Sequence, residues 1–187
     1  MSTMGGLIAV FVFVAVLVAV FIAMYNGLVR LRQQTMNAWA QIDVQLKRRY
    51  DLIPNLVETV KGYMAHEQGT LEKVIQARNM AMNATGVSEK GKAEGALAGA
   101  LTGIFGLAEA YPDLKANSNM IQLQEELRET ESKISFSRQY YNDVVTEYNT
   151  KLETFPSSIV AGIGSFQARE LFELTEPAER EPVKVKF

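Results

Sequence analysis

The sequence predicts an all-α protein in which one N-terminal transmembrane helix carries a helical bundle. Three observations point there. A wholly apolar, uncharged run opens the chain, apolar residues beyond it recur at helical spacing, and five prolines are spread over 187 residues.

The run from Leu7 to Met24 contains no charge, amide or hydroxyl, and every Lys, Arg, Asp and Glu lies beyond residue 24. At helical rise it spans roughly 27 Å, close to a bilayer's hydrocarbon core. Valine occupies every even position from Val10 to Val20, which would suit a strand, but a lone apolar strand leaves its backbone unpaired in lipid. The run lacks the basic flank and small-residue cleavage site of a signal peptide, so an uncleaved anchor is expected. Positive charge follows it, at Arg30 and Arg32 and then at Lys47, Arg48 and Arg49. The positive-inside rule then puts the bundle in the cytoplasm of a bacterial inner membrane and the N-terminus outside. Ala15, Ala19, Ala23 and Gly27 fall four apart and form a small-residue ridge, a candidate surface for pairing membrane helices.

From Tyr25 to about His66 the pattern stays helical. Trp39, Ile42, Leu46, Tyr50, Ile53, Val57, Val60 and Met64 share one stripe, while Gln41, Arg48, Asp51 and Asn55 lie opposite and Asp43 and Arg49 border it. Pro54 removes a backbone donor, frees the carbonyl of Tyr50 and predicts a kink. A second helix is expected over about 70–84, closed by Thr85-Gly86, and a third from an N-cap at Ser88. The uncharged stretch Gly95–Ala108 is too short to cross a membrane. Its glycines at 95, 99 and 103 predict close packing against a neighbouring helix. Tyr111-Pro112-Asp113 ends it.

A heptad follows, with Met120, Leu127, Ile134, Tyr141 and Tyr148 at one core position and Leu123, Thr130, Ser137 and Val144 at the other. Asn119 and Gln122 have capping-box spacing, and Glu129 with Lys133 makes an i,i+4 pair. The helix should reach about Thr150. Polar Thr130 and Ser137 in the seam favour packing within one bundle over a free coiled coil. After Phe155-Pro156 comes a short amphipathic piece with Ile159, Ile163, Phe166 and Leu171, and Pro182–Phe187 alternates like an extended strand. The chain thus divides into a short segment (1–6), a transmembrane helix (7–24), a bundle (25–155) and an amphipathic segment with an extended tail (156–187).

The net charge of −2 and the mixed surface exclude the basic footprint of a nucleic-acid binder, and the absence of cysteine excludes disulfides and thiolate chemistry. The one histidine, in His66-Glu67, lacks the second histidine that a zinc-protease helix needs four residues on, where Thr70 stands. Arg138, Tyr140, Tyr141 and Tyr148 could form a polar site inside the bundle, although such residues more often serve as core aromatics. No catalytic, cofactor-binding or metal-binding residues are expected.

The stretches Tyr25-Asn26-Gly27-Leu28-Val29 and Trp39 through Val57, with its Arg48-Arg49-Tyr50-Asp51-Leu52-Ile53-Pro54-Asn55, resemble the LemA family. Gly62-Tyr63, Ala77-Arg78, Tyr111 through Asn117, Tyr141-Asn142, Phe155-Pro156 and the terminal Pro182–Phe187 fit in order, covering nearly the whole chain. The resemblance implies a single-pass membrane protein with an antiparallel four-helix-type bundle of long helices and no established enzymatic activity. It also implies an association with a membrane zinc protease of the HtpX type. The expected function is a non-enzymatic scaffold that self-assembles as a homo-oligomer and organises or shapes the lipid bilayer. The alternative is an adaptor for that stress protease, using the exposed face with Arg48, Asp51 and Asn55.

Overall fold

The computed structural model describes residues 2–63 and 67–173. Every regular element among them is a helix: α1 (Ser2–Lys61), α2 (Gln68–Asn83), α3 (Val87–Ala108), α4 (Pro112–Lys115), α5 (Ser118–Glu153) and α6 (Ser157–Ile163). The expected all-α fold class holds. Met64, His66 and the strand-like end Pro182–Phe187 lie outside the described residues. The apolar run is the first part of α1, which continues without a break for 60 residues, roughly 90 Å at helical rise. The chain forms two compact units, one of Met1–Trp39 with Tyr140–Arg169 and one of Ala40–Gln139 with Glu170–Phe187.

The second unit is a four-helix bundle. The α1 stripe buries Ile42, Leu46, Tyr50, Ile53, Val57 and Val60, as its spacing predicts, and Leu56 joins it. α2 contributes Leu71, Val74, Ala77 and Ala81, α3 contributes Ala93, Leu97, Leu101, Ile104 and Ala108, and the heptad of α5 contributes Met120, Leu123, Leu127 and Ile134. Burying each large aliphatic side chain stabilises the fold by about 1.5–3 kcal/mol. The pairing is antiparallel. Arg49 of α1 meets Glu131 of α5, while Tyr63 just past the end of α1 meets Asn117 just before the start of α5, so the two helices run in opposite directions.

Helix ends depart from expectation in detail. α1 stops at Lys61, where Gly62 and Tyr63 form a turn rather than carrying the helix on to residue 66. α3 begins at Val87, with Gly86 at φ 80° in place of a Ser88 N-cap. Glu89 reaches back there to accept hydrogen bonds from the Thr85 amide and hydroxyl at 3.0 and 3.2 Å. At α5 the capping residue is Asn117, not Asn119, its Oδ1 accepting the amides of Asn119 and Met120 at 2.9 and 3.1 Å. An Asn just outside the first turn can reach two orphan amides, which Asn119 inside the helix cannot.

The glycines of α3 correct a prediction. Gly95 is buried as its spacing implies, but Gly99 and Gly103 are exposed, and a methyl group built on either of these two meets nothing within 4 Å. The leucines of the opposite stripe fill the core, so this edge of α3 faces outward. Close approach occurs instead at Gly91, where a Cβ would stand 2.1 Å from the Glu173 carbonyl oxygen beside buried Phe172.

In the first unit, α1 and the end of α5 again run antiparallel: Trp39 and Tyr141 have ring centroids 5.4 Å apart, while earlier Leu28 packs with later Leu152. α6 folds back onto them through Val160 and Ala161, against Leu28 and Met24. Phe166 makes an edge contact with Tyr25 at 5.4 Å, and the Arg32 guanidinium lies 5.4 Å from the Phe166 ring. Of the amphipathic residues predicted after Pro156, only Phe166 packs inward. Ile159, Ile163 and Leu171 are exposed, and Val160, Ala161 and Phe172 are buried. The turn at Phe155-Pro156 sets the phase of so short a helix, and sequence spacing does not show it.

Gly91→Ala should displace the 170–173 segment and lower the thermal midpoint by several degrees, whereas Gly99→Ala should be neutral or raise it, since alanine favours helix by about 0.8–1.0 kcal/mol over glycine. Circular-dichroism melts of the detergent-solubilised chain compare the two.

Candidate functional site

The bundle unit buries charge at one place. Arg49 and Tyr50 stand side by side on α1, and Glu94 faces them from α3. Their positions follow from helical geometry: Tyr50 belongs to the apolar stripe, Arg49 lies on its border, and Glu94 occupies the same stripe as Leu97, Leu101 and Ile104. The Arg49 and Glu94 side chains are 5% and 1% exposed.

The Tyr50 hydroxyl donates to one Glu94 carboxylate oxygen. Arg49 Nη1 donates to the other at 3.3 Å and also pairs at 3.1 Å with Glu131 of α5, whose carboxylate is half exposed. On the α2 side, the Tyr50 hydroxyl lies 3.3 Å from the Ala81 carbonyl oxygen, which accepts the Lys90 ammonium at 3.1 Å. Lys90 sits 5.7 Å from the centre of the Tyr50 ring. Arg78 Nε donates to the backbone carbonyl of Tyr50 at 2.7 Å. That carbonyl is the one Pro54 leaves without a helical donor, so Arg78 supplies the missing hydrogen bond and α1 continues past the proline.

Burial pushes the Glu94 carboxyl above its ordinary range, and Glu131 adds to this, against the opposing pull of the Tyr50 hydrogen bond, Arg49 and Lys90. Burial, reinforced by Glu94, likewise raises the Tyr50 hydroxyl. A buried carboxyl that holds its proton more tightly in the fold contributes stability present in full below the ordinary carboxyl pKa and lost as pH rises through the raised one. The cluster joins all four helices. Each of its three central side chains is already engaged by another, an arrangement that stitches helices together and leaves no free nucleophile among them. A groove of about 260 Å³ touches its edge at Arg49 and Glu131, lined otherwise by Leu101, Thr102, Phe105 and Leu127 among others.

Arg49, which the spacing put on the stripe's border, is buried, and Glu94 had no place in the sequence reading. Its signal was available, since a carboxylate immediately before an uncharged stretch and in phase with its leucines is a buried charge in need of a cation. Of the aromatic group on α5, Tyr141 and Tyr148 are buried and Tyr140 is exposed, so Tyr140 does not join an interior site. Burial raises the Tyr148 hydroxyl, opposed by Arg169 and Arg32. Ala15, Ala19, Ala23 and Gly27 are exposed along α1, as are Arg48, Asp51 and Asn55. No three His, Cys, Asp or Glu side chains among the described residues gather as a metal site.

The fold is all-α, and its first helix, exposed over residues 4–23, is long and apolar enough to cross a membrane and fits a membrane anchor. The LemA family matches residues 38–187, and the chain belongs to that family. It is 30% identical over 162 residues to Protein LemA of Metamycoplasma hominis, covering 81% of this chain and 73% of the relative. Magnetosome proteins MamQ 2 and MamQ 1 of Paramagnetospirillum magneticum are each 23% identical over 196 aligned positions, covering 91% of this chain and 72% of each relative. LemA is not a known enzyme family.

Arg49→Met should cost about 3–5 kcal/mol at neutral pH, because it strips a buried carboxylate of its cation. The loss should shrink in mild acid, where Glu94 takes up a proton, and the Arg49→Met/Glu94→Met pair should recover most of it. Urea unfolding of the four variants at two pH values reads the coupling.

Proposed function

We propose that this chain is a non-enzymatic, membrane-anchored helical scaffold that self-assembles and organises or shapes a bacterial inner membrane, with the bundle in the cytoplasm and the N-terminus outside. The observation that carries this reading is the single helix α1, whose apolar run is exposed over residues 4–23 and passes without a joint into the bundle's core stripe. The exposed ridge Ala15, Ala19, Ala23 and Gly27 offers a second copy a surface for close backbone approach. The occupied pairings of Arg49, Tyr50 and Glu94 favour a structural role over catalysis. Two relatives are magnetosome proteins by name, which accords with scaffold work.

A second reading rests on the exposed α1 face with Arg48, Asp51 and Asn55, which the bundle core does not use. There the chain would act as an adaptor for a membrane-bound stress protease. Arg48→Glu should then abolish co-purification of the protease while leaving helix content unchanged; retention of every partner rules the adaptor out.

Ala19→Leu should weaken self-association without preventing insertion, because leucine suits lipid but holds neighbouring backbones apart. Crosslinking in membranes, with mass photometry after detergent extraction, measures it. Unchanged oligomers would move the contact to the outward edge of α3, where Gly99→Leu is the matching substitution. A strictly monomeric wild-type particle would remove the scaffold altogether.

A further inference from the structure

α6 presents two faces. Ser157, Val160 and Ala161 are buried, with Val160 and Ala161 packed on Leu28 and Met24. Phe155, Ile159 and Ile163, four residues apart, point away and are 75%, 57% and 67% exposed. A seven-residue helix showing Ile159 and Ile163 to water, with Phe155 exposed in the turn that enters it, is poorly explained within the first unit itself.

The position of α6 along α1 explains the face. Its entry residues Phe155 and Pro156 share a groove with Met24, the last residue of the apolar run. At its other end, a Cβ built on Gly164 would lie 3.1 Å from the Tyr25 ring. The start of α6 thus borders a groove that follows α1 from Met24 to Gln34, its middle packs on Leu28 and Met24, and its end meets Tyr25, so α6 lies beside the stretch of α1 that begins where the apolar run ends. If the run spans the hydrocarbon core, that level is the bilayer surface. Tyr25 stands there too, as tyrosines do at membrane boundaries. The groove of about 630 Å³ beside α6 is apolar at Met24, Leu28 and Phe155 and charged at Arg30, Lys151 and Glu147. Apolar groups beside the Arg30 and Lys151 cations, with Glu147 as the one anion, suit acyl chain and phosphate at that depth.

We infer that α6 is an interfacial helix that seats Phe155, Ile159 and Ile163 in the headgroup–acyl boundary of the same bilayer the anchor crosses. This rests on the anchor reading, and it adds a second attachment that fixes the depth of the first unit at the membrane. The face thereby continues the anchor's own lipid contact. Such helices bury their apolar side about 5–10 Å below the surface.

The absence of cysteine makes the test direct, since single-cysteine variants take one nitroxide label each. The full chain is reconstituted in vesicles of phosphatidylcholine mixed with phosphatidylglycerol, labelled in turn at Leu17→Cys, Met36→Cys, Ile159→Cys and Ile163→Cys. All four side chains are exposed, so the fold should tolerate each change. Power saturation compares collisions with oxygen, which concentrates in lipid, and with a water-soluble nickel chelate. Labels at 159 and 163 should favour oxygen several-fold over the label at Met36, which lies about 18 Å further along α1 from Met24, and should be shallower than the label at Leu17. Nickel access at 159 and 163 equal to that at Met36, with Leu17 deep, overturns the interfacial helix and leaves the anchor standing. Labels shielded from both reagents mean that a protein surface covers the face, which also overturns it. A nickel-accessible label at Leu17 overturns anchor and interfacial helix together.

Discussion

Pro54 removes a donor from the middle of the longest helix, and the way that loss is met organises the bundle around it. The orphaned carbonyl of Tyr50 is taken by Arg78 of α2, while the hydroxyl of the same tyrosine donates to Glu94 of α3. Neighbouring Arg49 answers Glu94 and reaches Glu131 of α5. One turn of α1 is thus hydrogen-bonded to every other long helix of its unit. Apolar stripes alone would let helices slide by a turn at small cost. A buried carboxylate with a tyrosine hydroxyl on one oxygen and a guanidinium on the other has one satisfactory register, because any slip strands a charge in the core.

The same cluster explains why the interior offers no obvious chemistry. A carboxyl raised by burial and beside a tyrosine resembles part of an acid–base site, and perturbed groups often mark one. Here the tyrosine's proton is already committed to the carboxylate, and the arginine spans two carboxylates. The groove next to it meets the cluster at the arginine and at half-exposed Glu131 rather than at buried Glu94.

The first unit solves a different problem. α1 presents apolar surface over residues 4–23, and just beyond that run α6 folds back onto Met24 and Leu28. Asn149 secures the chain beyond α6 by exchanging two 2.9 Å hydrogen bonds with the backbone of Arg169. Arg32 over Phe166 and Phe166 against Tyr25 complete a layer of aromatic and cationic groups at that level. Such groups, apolar in body and polar at the tip, suit a boundary between lipid and water.

Much of this was legible in the residues. The long apolar helix, the α1 stripe, the α5 heptad and the carbonyl freed by Pro54 all follow from local properties: length, apolar content, helical period and a missing amide. Periodicity reports which face of a helix turns inward, and it did so for Ile42, Leu46, Tyr50, Leu127 and Ile134. It does not report what that face meets. That Arg49 is buried rather than marginal, that Glu94 is its partner and that Arg78 replaces the donor lost at Pro54 depend on residues up to 82 positions apart on four helices. The glycines of α3 show the limit from the other side, since their spacing permits close approach but a neighbour must be present to use it. At Gly91 one is, and at Gly99 and Gly103 the leucines across the helix had already claimed the core. Sequence alone determined an all-helical chain with a membrane-length apolar helix, because both are properties of short segments. Tertiary structure decided which charges are buried and which apolar residues of α6 stay outside, because burial belongs to the packing of distant segments and to the turn that orients each one.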